Sequence, residues 1–373
     1  MAQERKKTRI VLASILKPVD DTRMFEKMGM SLSNSGLYDV FVVGFPSVSK
    51  RVFPGIQQIS LQSFPRLSMQ RAWAKWEVLR IILRLKPDVV IFNTHELILP
   101  SILAKILVAD LAIVYDIREN YYRNILHAGS FSRLLRWPLA WYVRFKEKLL
   151  APAVNHFLLA ERAYEQEIKF HRSGWTVLEN KATLLPEVPP VHKHEPGKIR
   201  LLFSGTLAES TGVYKAIQIA RELNRLDASV SLTIMGHAAA KAVRENILEE
   251  VKHNNFIQLI GGENLVPHSE ILNCIQQSDA GILIYPRSPH TMNSHPTKLY
   301  EYLHAQLPII LDREWPWTNE YEAADPFILI NMVQPNYPAL LNDLKTKAFY
   351  PTAPVNVTWA SEEPRLLNAL RNL

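Results

Sequence analysis

The stretch Ser294–Leu311, SHPTKLYEYLHAQLPIIL, reads as a short helix over Thr297–His304 that runs into a buried strand over Pro308–Leu311. Working outward, the same rhythm fills the second half of the chain. Strands are predicted at Ile199–Ser204, Ser231–Met235, Phe256–Leu259 and Ala280–Ile284, with helices at Tyr214–Leu226, Ala239–His253 and Ser269–Gln277. The first half repeats it. Strands are predicted at Arg9–Leu16, Asp39–Gly44, Asp88–Asn93, Ala112–Asp116 and His156–Ala160, and helices at Thr22–Ser35, Met69–Leu85, Leu99–Val108 and Arg133–Leu150. Short apolar runs alternating with amphipathic stretches are the pattern of an α/β protein with parallel sheets covered by helices. The expected layout is two doubly wound, Rossmann-like domains, 1–185 and 198–357, facing each other across a cleft. A Pro-rich linker, 186–197, joins them, and a C-terminal helix, 358–373, is expected to pack back on the first domain.

Bulk properties fit that layout. At 373 residues the chain is long enough for two cores, and with 47% hydrophobic and 21% charged residues its composition is globular. Its one cysteine, Cys274, excludes an intrachain disulfide and a Cys-rich metal site, which fits a reducing, cytoplasmic setting. The run Ile10–Leu16 resembles a signal peptide but is short and followed at once by Lys17-Pro18-Val19-Asp20-Asp21, so it reads as a buried first strand. No stretch qualifies as a membrane span. The charge is uneven: residues 1–180 carry a net +10 and 181–373 a net −3, which make up the +7 of the chain. The basic half therefore suits an anionic partner.

In LLFSGTLAESTGVYKAI a strand ends near Ser204, Gly205 permits a tight turn, and Ser210-Thr211-Gly212 precedes a helix. Backbone N–H groups at such a helix start favour phosphate oxygens, though a helix cap with no ligand reads the same way. Neither a dinucleotide-binding glycine fingerprint nor a P-loop occurs. Lys298 falls in the first turn of its helix, where a cation opposes the helix dipole. A bound diphosphate would account for it, and Glu301, about one turn later, could accept hydrogen bonds from two ribose hydroxyls. A solvated Lys–Glu pair contributing under ~1 kcal/mol is the plainer alternative.

Four stretches, collinear over most of Arg9–Leu311, resemble retaining nucleotide-sugar glycosyltransferases of the GT-B fold, the large family-4-like group. They are SHPTKLYEYLHAQLPIIL, the first strand and helix with Asp21 and Arg23, KPDVVIFNTHE ending at His95-Glu96, and FIQLIGGENLVPHSEILNCIQQSDAGILIYP. The resemblance implies that Glu301 binds the ribose and Lys298 lies near the diphosphate. It places Gly205 and Thr206 under the phosphates, Gly236 and His237 in a second ligand-facing turn, and Asn293 where the family has its first Glu. Thr211-Gly212 stands where many members have Lys-Gly, so Lys298 or Arg287 would replace that cation. Gln306 stands where a glycine is usual. Arg118, in YDIREN, stands where the family has a His. Lys298, His95 and Arg118 are the candidates for catalysis, and Asp21, Arg23, His95 and Glu96 for holding the acceptor. Asp20 and Asp21 would serve equally as a helix cap.

The implied reaction moves a sugar from a nucleoside diphosphate sugar, with retention, to a glycan or lipid-linked acceptor. No metal and no cofactor is expected, since no Asp-x-Asp occurs and the sugar nucleotide is a substrate. Phe131–Leu150 and Arg66–Lys86 are basic helices with Trp at helical spacing. They read either as a core-facing aromatic stripe with a solvated basic face, or as a docking face for an anionic membrane surface at the inner side of the cell membrane. A nucleotide-sugar epimerase of the same architecture and a non-catalytic nucleotide-sugar-binding scaffold are the alternatives. Nucleic acid is not an expected partner.

Overall fold

The computed structural model describes residues 7–47, 51–64, 68, 70–127, 132–170, 174–183, 197–286, 292–312 and 315–373. Arg287 and, apart from Gly197, the expected linker 186–197 lie outside them. The chain divides into two compact units, one of Met1–Asn180 with Trp359–Leu373 and one of Lys181–Thr358.

The first unit holds β1 (Thr8–Pro18), α1 (Met30–Asn34), β2 (Tyr38–Phe45), β3 (Ile56–Ser60), α2 (Gln70–Leu85), β4 (Val89–Phe92) and α3 (Ile98–Leu107). It continues with β5 (Ala112–Ile117), α4 (Tyr121–His127), α5 (Arg133–Leu150), β6 (His156–Leu159), α6 (Tyr164–Glu167) and β7 (Trp175–Val177). The seven strands are parallel, in the order β3-β2-β1-β4-β5-β6-β7. The second unit holds β8 (Ile199–Thr206), α7 (Val213–Leu226), β9 (Val230–His237), α8 (Lys241–His253), β10 (Ile257–Gly262) and α9 (His268–Gln277). Then come β11 (Ala280–Leu283), α10 (Thr297–His304), β12 (Ile309–Asp312), β13 (Phe327–Ile330) and α11 (Tyr337–Thr346), while α12 (Glu363–Arg371) belongs to the first unit. The second sheet is also parallel, in the order β10-β9-β8-β11-β12-β13.

Each sheet is buried on both faces, which explains why its central strands read as unbroken apolar runs. In β1, Ile10 and Leu12 point into one core with Met24, Leu32 and Leu366, while Val11, Ala13 and Ile15 point into the other with Val78, Ile82 and Phe92. Three strands not predicted from the sequence, β3, β7 and β13, are edge strands. Such strands are short, and β3 is half polar, so no long buried run marks them.

The helix expected over Thr22–Ser35 begins instead as a π-helix, Thr22–Gly29, and becomes α-helical only at Met30. Its wider turn brings Arg23 and Lys27 inward together, and each finds a buried polar partner: Arg23 binds Asp116, and the Lys27 ammonium donates to Asn180 Oδ1 at 2.7 Å. After α10 the backbone at Gln306 is left-handed, φ 52°, the position that ends helices and favours glycine.

Candidate active site

Both sheets reverse their strand order at one place, β1/β4 in the first unit and β8/β11 in the second, and crevices at such switch points take ligands. In the second unit β8 ends at Gly205-Thr206. Gly205 pairs with Gly236 of β9, which pairs with Gly261 of β10. A Cβ built on Gly236 would lie 1.7 Å from the Gly205 carbonyl oxygen, so this row of backbone tolerates no side chain there. Thr206 is exposed, and the Nδ1 of His237, its register partner, is buried with no hydrogen-bond partner among the described residues.

Helix α10 is locked over this turn by Tyr302. Its hydroxyl shares a 2.9 Å hydrogen bond with Ser204 Oγ, and its ring lies so close to Gly281 that a Cβ there would come within 2.5 Å. Lys298, in the first turn of α10, is thereby carried onto the Gly205 turn: a Cβ on Gly205 would sit 3.0 Å from Lys298 Cε and 3.4 Å from Nζ. Lys298 and Glu301 are each only 9% exposed, and they form no ion pair with each other, so the solvated-pair alternative fails. The ammonium lies over the rings of Phe203 (4.5 Å) and Tyr285 (5.5 Å) and has no hydrogen-bond partner among the described residues. Burial brings its pKa down to about 8, with the Glu301 charge opposing the shift. Glu301 lies 3.2 Å from His268 Nε2, at the start of α9. Asn293 is exposed in a turn before α10, and no contact ties it to Lys298 or Glu301. This corner thus combines an unneutralised cation, a bare backbone turn and a carboxylate, the groups that suit a diphosphate beside a diol.

In the first unit, Asp21 follows β1, His95 and Glu96 follow β4, and Arg118 follows β5. Asp21 caps the π-helix, accepting from the Arg23 and Met24 amides at 3.1 and 3.0 Å, and it also accepts from Arg118 Nη2 at 2.5 Å. Cap and ligand-facing carboxylate were alternatives in the sequence; the structure gives the cap. Arg118 also donates from Nε to Asp116 at 3.2 Å. Burial alone would raise the Asp21 pKa, but the Arg118 charge holds it well below the usual carboxylate range. Arg23 is 2% exposed and bidentate on Asp116, at 2.9 Å from Nε and 2.7 Å from Nη2. Its Nε and Nη2 anchor Asp116 and, through it, Arg118, while its buried Nη1 has no hydrogen-bond partner among the described residues.

His95 Nδ1 lies 2.7 Å from Lys146 Nζ, which reaches it from α5. An ammonium only donates, so Nδ1 is the acceptor and the imidazole proton sits on Nε2, 3.6 Å from a Glu96 oxygen. Burial lowers the His95 pKa to about 4; the Glu96 charge opposes this, while Lys146 and Arg71 add to it. Glu96 forms an ion pair with Arg71. Burial raises its pKa, but His95 and Arg71 together bring it below the ordinary value. Beside them the side chains of Asn93 and Thr94, each 2% exposed, find no partner among the described residues. Lys146 and His268 were not singled out as site residues in the sequence. They reach His95 and Glu301 across 51 and 33 residues, and no spacing signal encodes such contacts.

No family model and no curated protein matches the chain. Solved structures do. Sucrose-phosphate synthase from Thermosynechococcus elongatus superposes with a TM-score of 0.70 at 10% identity, covering 98% of this chain and 99% of that one. The catalytic domain of starch synthase IV from Arabidopsis thaliana, bound to ADP and acarbose, gives 0.68 at 9% identity over 98% and 99%. Anabaena HepE in complex with UDP gives 0.63 at 12% identity over 99% and 100%. Across nearly its whole length, the chain has the GT-B fold of the nucleotide-sugar glycosyltransferases.

Proposed function

We propose that the protein is a retaining glycosyltransferase that moves a sugar from a nucleoside diphosphate sugar to a lipid-linked or polysaccharide acceptor. The observation that carries this reading is the buried, unpartnered Lys298 ammonium on the Gly205 turn, with Glu301 one helical turn away. Breaking the bond between the sugar C1 and the diphosphate oxygen leaves an oxocarbenium-like sugar and puts a new negative charge on the diphosphate. Lys298 and the turn amides meet that charge in a dry setting, where preorganised dipoles and cations act most strongly, so the reading calls for no metal. Glu301 accepts from the ribose hydroxyls, its carboxylate oriented by His268. The acceptor hydroxyl bonds to C1, and its proton passes to the departing phosphate. The first unit supplies the acceptor side: His95 is neutral at pH 7 and offers its Nε2–H to a hydroxyl, while Glu96 flanks it.

A second reading, a nucleotide-sugar binder without turnover, is favoured by one observation. Arg118, standing where the resemblance calls for a His, is tied between Asp21 and Asp116. A screen of uridine, adenosine and guanosine diphosphate sugars, scoring released nucleoside diphosphate with and without glycan and lipid-linked acceptors, separates the readings. Acceptor-dependent release is the expected result. Binding without release would establish the second reading, and acceptor-independent conversion of the sugar would indicate an epimerase.

A further inference from the structure

Helix α5 has its two faces reversed from the ordinary amphipathic arrangement. Its buried side carries Ala140, Val143, Arg144 and Glu147. Arg144 donates to Asn120 Oδ1 at 2.6 Å and lies over the rings of Tyr122 and Phe170, each at 5.3 Å, while Glu147 accepts from the Tyr115 hydroxyl at 2.9 Å. With its polar groups satisfied inside, the helix turns its large apolar residues outward. Leu134 is 88% exposed, Trp137 56%, Trp141 58%, Tyr142 60%, Phe145 63% and Leu149 63%. The core-facing stripe allowed by the sequence is therefore not what forms. Steps of one, three and four residues join these six into one outward stripe, more contiguous apolar surface than scattered exposure produces. Beside α5, α3 also exposes Ile106 and Leu107.

We infer that the outward face of α5 seats in the plane of an anionic phospholipid leaflet, with its aromatic residues at the acyl boundary and Lys148 among the phosphates. The charges select the occupant. The one acid on α5, Glu147, is buried; among the described side chains, the charged groups left at the surface of the helix are cations, Lys148 exposed and Arg136 and Lys146 partly so. A second copy of the chain would set one cationic fringe against another, whereas a leaflet offers acyl chains and phosphate together. No helix among the described residues is long and apolar enough to cross a membrane, so the seating lies in the interface. The same helix places Lys146 on His95. The bearing of the seating on a lipid-linked acceptor rests on the transfer reading; the seating itself does not.

Flotation with mixed phosphatidylglycerol–phosphatidylcholine vesicles and with phosphatidylcholine alone, in the absence of nucleotide, tests it. The wild-type chain should float with the anionic vesicles and only weakly with the neutral ones. Trp137→Glu/Phe145→Glu should lower recovery by at least ~10-fold with an unchanged melting temperature, because both side chains are more than half exposed. Leu134→Glu, at the most exposed position, gives a second arm with a smaller loss in the same direction. Equal recovery of variants and wild type, or no wild-type recovery on anionic vesicles, would overturn the proposal. So would a dimer in sedimentation that the same substitutions dissociate while vesicles recover nothing. Nucleoside diphosphate titration of the same variants keeps this result separate from the fate of the transfer reading, because the seating predicts unchanged nucleotide affinity.

Discussion

Burying the Lys298 ammonium without a counter-ion opposes folding. A pKa moved from 10.5 to about 8 corresponds to roughly 3–4 kcal/mol at 1.36 kcal/mol per unit. Lys298→Met should therefore raise the stability of the nucleotide-free protein at pH 7 by about 1–3 kcal/mol while weakening donor binding by at least ~10-fold, as denaturant melts and titration calorimetry would show. The sign with pH follows. Below pH 8 Lys298 is charged in both the folded and unfolded chain and the penalty is complete. Between pH 8 and 10.5 the folded chain loses the proton first, so the advantage of the variant shrinks. Donor affinity runs the other way: a diphosphate stabilises the ammonium, so affinity should hold below pH 8 and fall up to about tenfold per unit above it. The helical placement of Lys298 and Glu301 is legible in the sequence because their spacing is local. The Arg23–Asp116 and His268–Glu301 pairs are not, because they depend on which strand ends and helices meet.

At the scale of elements, α12 completes the first core. Leu366, Ala369 and Leu370 are buried there with Ile10, Leu12 and Met28. The Trp359 indole N–H donates to Ser31 Oγ at 2.9 Å, and Ser31 Oγ donates to Glu363 at 2.7 Å. Truncation after Thr358 opens that core at several large residues, so calorimetry should show the first unit melting earlier and the second nearly unchanged; a uniform shift of both would contradict this division. The central strands were legible because burial on both faces writes a continuous apolar run. The π-turn at Thr22–Gly29 was not, since it is fixed by the distant partners Asp116 and Asn180 rather than by local propensity. The outward face of α5 was hidden for a related reason. Periodicity shows that a helix has two faces but not which one meets the sheet, and here the buried face carries Arg144 and Glu147.

For the molecule as a whole, alternating strands and helices were enough to give two parallel sheets, while the strand order and the position of each switch point come from the assembled sheets. The net +10 of residues 1–180 against −3 for 181–373 places the steering of anions on the first part of the chain. The donor site is nevertheless assigned to the second unit, through one cation on a bare glycine turn. Calorimetric titration of wild type, Lys298→Ala and Glu301→Ala with uridine, adenosine and guanosine diphosphates tests that assignment most directly. At least one diphosphate should bind the wild type, and each substitution should weaken it by at least ~10-fold, the scale of one charged hydrogen bond. Unchanged affinity in both variants, or no diphosphate bound by the wild type, would contradict it.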